Sequence, residues 1–433
     1  MQAFPRRYVA ILLLAVLATL VVARGVVPAM SAVGSDFPSY LTAARIVADR
    51  GSVERLYDIP WFQEQMRRYR IGEPSAGKFS PFPPPTALLL LPIANLEPLD
   101  ALRVLTAVSV VCLVGAIALL SRILVWTLVD AAVLVLLSAP AILTTLRLGQ
   151  PYILVSASCI AGYYACLRNR PWLAGACFGL FIPIKYFPLI YVAWFALRRC
   201  WQVVAGAGAV IAVVSLASVW ILGWKLHAQF LGAVLGSHLV ARLGMQDPFA
   251  VSFQSFDTLF RQLFVLDATA NPHPLVIAPW LHGAGVLFMK TTIAAATIAT
   301  LVRLGRSRGA AEATAPALGL LGIGTLLLAP ATASYHLVLL WLPVALLVDF
   351  FLREGAAACA GFLVGGYTLI GFFPYPITAQ FAGRGALTLL AYPRLFLLLA
   401  MFLACVRCLW RSAAAAGMPV AADLRCVTSD DAS

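Results

Sequence analysis

The chain has 433 residues, of which 62% are hydrophobic and only 11% charged, against roughly a quarter charged in an ordinary soluble domain; its mean hydropathy is +0.91. A soluble globular enzyme is excluded, and a polytopic membrane protein is implied. The net charge of +13 is carried at the ends of apolar runs rather than in one patch, which argues against nucleic acid as a partner and fits the excess of Lys and Arg in cytoplasmic turns.

Backbone polar groups in lipid must be satisfied within the protein, and runs such as "YVAILLLAVLATLVVA" lack the alternation of barrel strands. The expected fold class is therefore all-α, an integral membrane helical bundle. The first apolar run is too long for a signal peptide and reads as a retained helix near 8–30. After it comes "GSDFPSYLTAARIVADRG", Gly34 to Gly51, with Phe37, Tyr40, Leu41, Ala44, Ile46 and Val47 largely on one side. That pattern predicts an amphipathic helix on the outer leaflet. Asp36 precedes Pro38 as a helix N-cap would, and Asp58 precedes Pro60 in the same way. A second interfacial helix, "IPWFQEQMRRYR", offers Trp61 and Phe62 as anchors. In "FSPFPPPTALLLLPIANL", Pro81, Pro83, Pro84 and Pro85 block helix entry and predict a re-entrant or interfacial element.

Further spans are expected near 101–121, 123–143 and 151–167. A stretch from 171 to 199 is too long for one comfortable helix, short for two, and broken by Pro183, Lys185 and Pro188; it reads as two short spans, 172–184 and 188–199, meeting at Lys185. Others fall near 201–222, 280–302, 314–329, 336–352, 355–373 and 387–410, giving about 12 transmembrane helices. Residues 1–412 form one integral domain on this reading, with outer-face segments at 31–80 and 223–279, and a disordered cytoplasmic tail runs from about Ala413 to Ser433. The nine cysteines read as small apolar residues rather than a framework, and "CVRC", Cys405 to Cys408, lacks the second pair or histidine that a metal site needs.

With the N-terminus in the cytoplasm, every cytoplasmic turn is basic, and Asp36, Gln150, Lys185, Gln254, Ser255 and His336 all come to the opposite face. A carboxylate, a lysine, an imidazole and amides at one membrane boundary suit chemistry on a lipid head group: the acid takes a proton from a hydroxyl nucleophile, and the cation holds a phosphate as it leaves. Each residue also has a plainer use. Asp36 can cap, Lys185 can snorkel between short helices, His336 can cap or bond a carbonyl, and Gln150 can close the "LGQP" turn. Lys290, within a predicted span, is costly there. No Gly-rich nucleotide loop and no metal-ligand cluster appear, so neither a cofactor nor a metal is expected.

These residues, with "GSDFPSYLTAARIVADRG", "FSPFPPPTALLLLP", "LGQPYILVSASCIAGYYA" and "RPWLAGACFGLFIPIKYFPLIYVAWFALRR", resemble glycosyltransferase family 87, membrane enzymes of the GT-C class. "FQSFDTLF" and "APATASYHLVLLWLPVALL" are weaker matches. The resemblance implies a GT-C-like fold and inverting transfer of a sugar, mannose in the typical members, from a polyprenyl-phosphate donor to a lipid or glycan acceptor. It places the active site on the outer face of a bacterial cytoplasmic membrane. It makes Asp36 the general base and gives the donor phosphate to Lys185, Gln150 and His336, with Tyr40, Asp58, Gln254, Ser255 and Tyr335 lining the substrate cavity. Around His336 the family's usual Ser-Pro and tryptophan are replaced by Ala329-Pro330 and Ala333-Ser334-Tyr335. The competing class is a transporter or flippase of lipid-linked glycans, which calls for polar residues at mid-membrane and a repeat relating the two halves; the sequence has no such repeat.

Overall fold

A computed structural model describes residues 3–73, 77–236, 247–373 and 375–415. Among them every regular element is a helix, apart from an isolated bridge between Asp267 and Asn271. Among the described residues, six helices are long and apolar enough to cross a membrane: Arg7–Ala29, Pro98–Leu124, Trp201–Leu222, Pro279–Ser307, Ser334–Arg353 and Pro393–Ala415. A seventh is added if Leu128–Leu136 and Ala139–Leu148, bent by 67° at their junction, are one span. The other expected spans are helices too short for a perpendicular crossing, which takes about 20 residues. Proline explains the breaks: Pro140 and Pro171 each stand in the first turn of a new helix, and Pro183 and Pro188 flank the gap at Lys185.

The chain forms two compact units. Unit 1 comprises Met1–Ile123, Thr127–Val192 and Gln202–Gln246. Its helices are α1 (Ala3–Val21, prolonged through a π-turn to Ala29), α2 (Phe37–Ala48), α3 (Ile59–Tyr69), α4 (Pro98–Leu124), α5 (Leu128–Leu136), α6 (Ala139–Leu148), α7 (Tyr152–Leu167), α8 (Pro171–Gly179), α9 (Leu189–Leu197), α10 (Trp201–Leu222) and α11 (Trp224–Gln229). The last few residues of α9 and the first of α10 cluster with unit 2.

The expectation of a surface-lying α2 is corrected. Phe37, Tyr40, Leu41, Ala44 and Ile46 are buried, and so are the small polar residues Ser39 and Thr42 between them. The proline-rich strip covers the helix: short 3-10 turns at Pro84–Leu88 and Leu91–Ile93 pack along it, and Leu90, Ala94 and Leu105 join its core. Irregular backbone is tolerated at membrane depth only where protein satisfies it. Arg45 of α2 does so, donating to the carbonyls of Ala94 (2.8 Å), Leu96 and Tyr69. In α3, Phe62 and Met66 are buried in protein, and only Trp61 of the two expected anchors stays part-exposed, beside Arg55.

Unit 2 comprises Leu124–Trp126, Ala193–Trp201 and Asp247–Ser433, with α12 (Phe256–Phe264), α13 (Pro279–Ser307), α14 (Ala310–Leu328), α15 (Trp341–Arg353, entered by the 3-10 turn Ser334–Leu340), α16 (Ala357–Phe372) and α17 (Pro393–Ala415). α15 is its buried centre, with Trp341 fully enclosed. α13 instead turns Leu287 and Phe288 outward, as a lipid-facing helix does. Lys290 is half-buried in the same long helix, so no shifted boundary removes it from the span.

Two expectations at the C-terminal end change. The helix runs to Ala415, past the expected start of the tail, and residues 416–433 lie outside the described residues. Cys359 of α16 is also bonded to Cys408 of α17, so these two cysteines cross-link neighbouring helices. Their separation of 49 residues carries no spacing signal, because the proximity arises only when α16 packs on α17. A disulfide belongs to an oxidising compartment, whereas the arginines at this end follow the cytoplasmic pattern, and the two signals disagree about this face.

Candidate active site

Unit 1 joins four of the expected residues in one line. Lys185 Nζ donates to the Tyr40 hydroxyl (3.3 Å), Tyr40 donates to Gln150 Oε1 (2.8 Å), and Gln150 Nε2 donates to Asp36 Oδ2 (2.7 Å). Ser35 donates to the other carboxylate oxygen. Each donor faces an acceptor, so the line runs in one sense from cation to carboxylate. Three separate parts of the chain supply it: the entry to α2, the turn before α7, and the turn between α8 and α9.

Asp36 stands at the N-cap position of α2, but its side chain makes no capping bond. The expected cap is therefore corrected: Gln150, 114 residues away, orients the carboxylate. Asp58 caps α3 as expected, accepting from Trp61 N, and pairs with Arg55. That side chain is used structurally and is not part of the line.

Two glycines permit the encounter. A Cβ on Gly34 would lie 1.9 Å from the Arg147 carbonyl oxygen, and one on Gly149, whose φ is +66°, would meet Phe37 at 2.7 Å. "GSDF" and "LGQP" thus approach at backbone distance, each contributing a residue without a side chain. A cavity of about 350 Å³ is bordered by Gly34, Val33, Thr144 and Arg147.

Lys185 lies among rings. Its ammonium is 4.9 Å from the centroids of Phe82 and Tyr152 and 5.7 Å from that of Tyr40. Phe82 is stacked on Tyr40 at 4.6 Å, and its carbonyl accepts from Tyr57. Loss of water pushes the Lys185 ammonium down to about 8, with the negative charge of Asp36 acting the other way.

Lys78 was missed in the sequence. Its backbone N–H bonds Ser39 Oγ on α2, its side chain is half-buried, and its ammonium is likewise lowered by burial while Asp36 raises it. A lone lysine in "GKFS" gives no sign that the strip after it folds back on α2. Phe82 and Tyr152 had the same obscurity.

The remaining expected residues belong to unit 2, where they organise the local backbone. Gln254 donates to the carbonyls of Val251 and Ala391 and accepts from Arg394 N. Ser255 caps α12 and donates to the Pro330 carbonyl at 2.7 Å. His336 Nδ1 accepts from Ala333 N, and its ring contacts Tyr335. Buried Arg394, also missed in the sequence, donates to Ser334 and to the Phe373 carbonyl, and buried Asp257 is flanked by Arg261 and His282. Among the described residues no three His, Cys, Asp or Glu side chains gather as a metal site.

No curated protein and no solved structure matches the chain. A family model does, over residues 81–330. The matched region includes Gln150, Lys185, Gln254 and Ser255; Asp36, Tyr40 and Asp58 precede it, and Tyr335 and His336 follow it. With more than half of the 433 residues matched, and apolar helices throughout, the chain belongs to glycosyltransferase family 87 and is a membrane glycosyltransferase.

Proposed function

We propose that the enzyme transfers a sugar, mannose by the family resemblance, from a polyprenyl-phosphate donor to a hydroxyl of a lipid or glycan acceptor, on the outer face of a bacterial cytoplasmic membrane and with inversion. The observation that carries this reading is the line from Lys185 through Tyr40 and Gln150 to Asp36. It separates a base from a cation while holding both in one orientation.

Asp36 accepts the acceptor's proton as that oxygen attacks the anomeric carbon. The bond from that carbon to the phosphate oxygen breaks, its electron pair leaves with the polyprenyl phosphate, and Lys185 stabilises the charge developing there. Gln150 keeps the carboxylate aimed, and Tyr40 links Gln150 to the lysine. GT-C-like architecture and a count of about twelve spans belong to the same reading, with α8 and α9 as two short spans that meet at Lys185 on the outer face.

Purified protein incubated with radiolabelled polyprenyl-phosphate mannose and envelope lipids is expected to give labelled glycolipid. Transfer from a nucleotide sugar, or movement of lipid-linked glycan across vesicles without transfer, would reject the donor or the reaction. The glycine contact makes a separate prediction. Gly34→Ala is expected to lower transfer about 100-fold, the scale of a 1 Å misplacement in an active site, because a methyl cannot fit against the Arg147 carbonyl. Full activity in a folded Gly34→Ala protein would show that the two turns need not touch.

A further inference from the structure

At the far end of α17 a groove of about 520 Å³ is lined by Arg303 of α13 and by Leu403, Val406, Arg407, Trp410 and Arg411 of α17. The guanidinium of Arg303 lies over the Trp410 ring at 4.9 Å, and the indole N–H is held by Thr300 Oγ1 at 2.8 Å. Arg407 and Arg411 are one turn apart on the same helix, a spacing at which like charges repel. Among the described residues, none of these three arginines takes part in an ion pair. Acids are nonetheless close in the fold: Arg308 pairs with Glu354, and Arg353 with Asp349.

The walls are fixed. Cys408 is bonded to α16, Ser412 accepts from Arg308, and Trp410 is tied to α13. Both helices are candidate membrane spans, and the arginines lie toward their C-terminal ends, about one to two turns before the last residue. The groove therefore offers three cations at the membrane boundary, a tryptophan of the kind that sits at head-group level, and an apolar continuation along Leu403 and Val406. A small soluble anion has no use for that continuation, and a zwitterionic lipid brings its own cation to a site that already has three.

We propose that this groove binds the phosphate of an anionic phospholipid from the surrounding membrane, with its acyl chains running along Leu403 and Val406. Guanidinium forks suit phosphate oxygens, and basic pockets between helix ends are where such head groups bind. The site is separate from the residues assigned to transfer and does not depend on that assignment.

The test is native mass spectrometry of detergent-purified protein titrated with phosphatidylglycerol, phosphatidylcholine or glycerol phosphate. Phosphatidylglycerol should be retained and phosphatidylcholine lost. Each of Arg303→Gln, Arg407→Gln and Arg411→Gln should weaken retention by about fivefold, the worth of one basic residue near an anionic surface. Equal retention by the variants, or displacement by glycerol phosphate as effective as by lipid, would overturn the proposal. In the wild type, photoactivatable phosphatidylglycerol should label residues 403–414, and labelling confined to other helices would overturn it independently of how any variant folds.

Discussion

Replacing Asp36 with asparagine is expected to lower turnover by roughly two to four orders of magnitude, the usual worth of a positioned general base, while leaving thermal stability close to the wild type. Asparagine keeps the shape and can still accept from Gln150 Nε2, but it cannot take a proton from a hydroxyl at neutral pH. Because Asp36 makes no side-chain cap, the substitution removes nothing from the start of α2. Asp58→Asn supplies the contrast: asparagine caps nearly as well as aspartate, so most activity should remain. Transfer assays and melting curves on the two proteins decide the matter, and a fully active Asp36→Asn enzyme would end the catalytic reading of this carboxylate.

Removing the charge at position 185 should act on the donor side. Lys185→Ala is expected to reduce kcat/KM for the donor by at least 100-fold, within the range for loss of one charge-stabilising group. Lys185→Arg should restore only part of it, since a planar fork presents different geometry to a phosphate from a point ammonium. The lysine must be protonated to act, and its ammonium is lowered to about 8. The sign follows: kcat/KM should hold below that pH and fall as pH rises through it. Donor phosphate binding favours the charged form, so the corresponding limb in kcat should lie at higher pH. A wild-type profile flat to pH 10, together with unchanged donor KM in both variants, would return Lys185 to a purely structural role.

The helical fold was legible because it follows from composition, and nearly every predicted span is a helix. Span number was not, because a proline in an apolar run reads alike whether it kinks one span or separates two short helices. Asp36, Gln150 and Lys185 were expected to meet because the predicted topology put their turns on one face, and the structure links them by hydrogen bonds through Tyr40. Their order in the line was not legible. Tyr40 looked like one ring of an apolar stripe, and its hydroxyl gained importance only because the proline strip buries α2 and turns this residue toward Gln150. Misreading Asp36 as a cap has the same origin: local sequence shows the helix start, while the bond that orients the carboxylate comes from 114 residues away.

The three rings around Lys185 bear on selectivity. A carboxylate partner in contact would hold the ammonium more tightly, but it would also cancel its charge and would have to be displaced by each incoming substrate. Phe82, Tyr152 and Tyr40 attract the cation through their π-faces, and a quadrupole neutralises nothing. An arriving anion therefore meets a positive charge that no carboxylate among the described residues contacts directly, Asp36 being linked to it only through Gln150 and Tyr40. On the proposed donor assignment, a neutral lipid of the same length finds no charge-assisted bond to offset the water it must give up, and the aromatic lining is expected to favour a phosphorylated polyprenol over an unphosphorylated one.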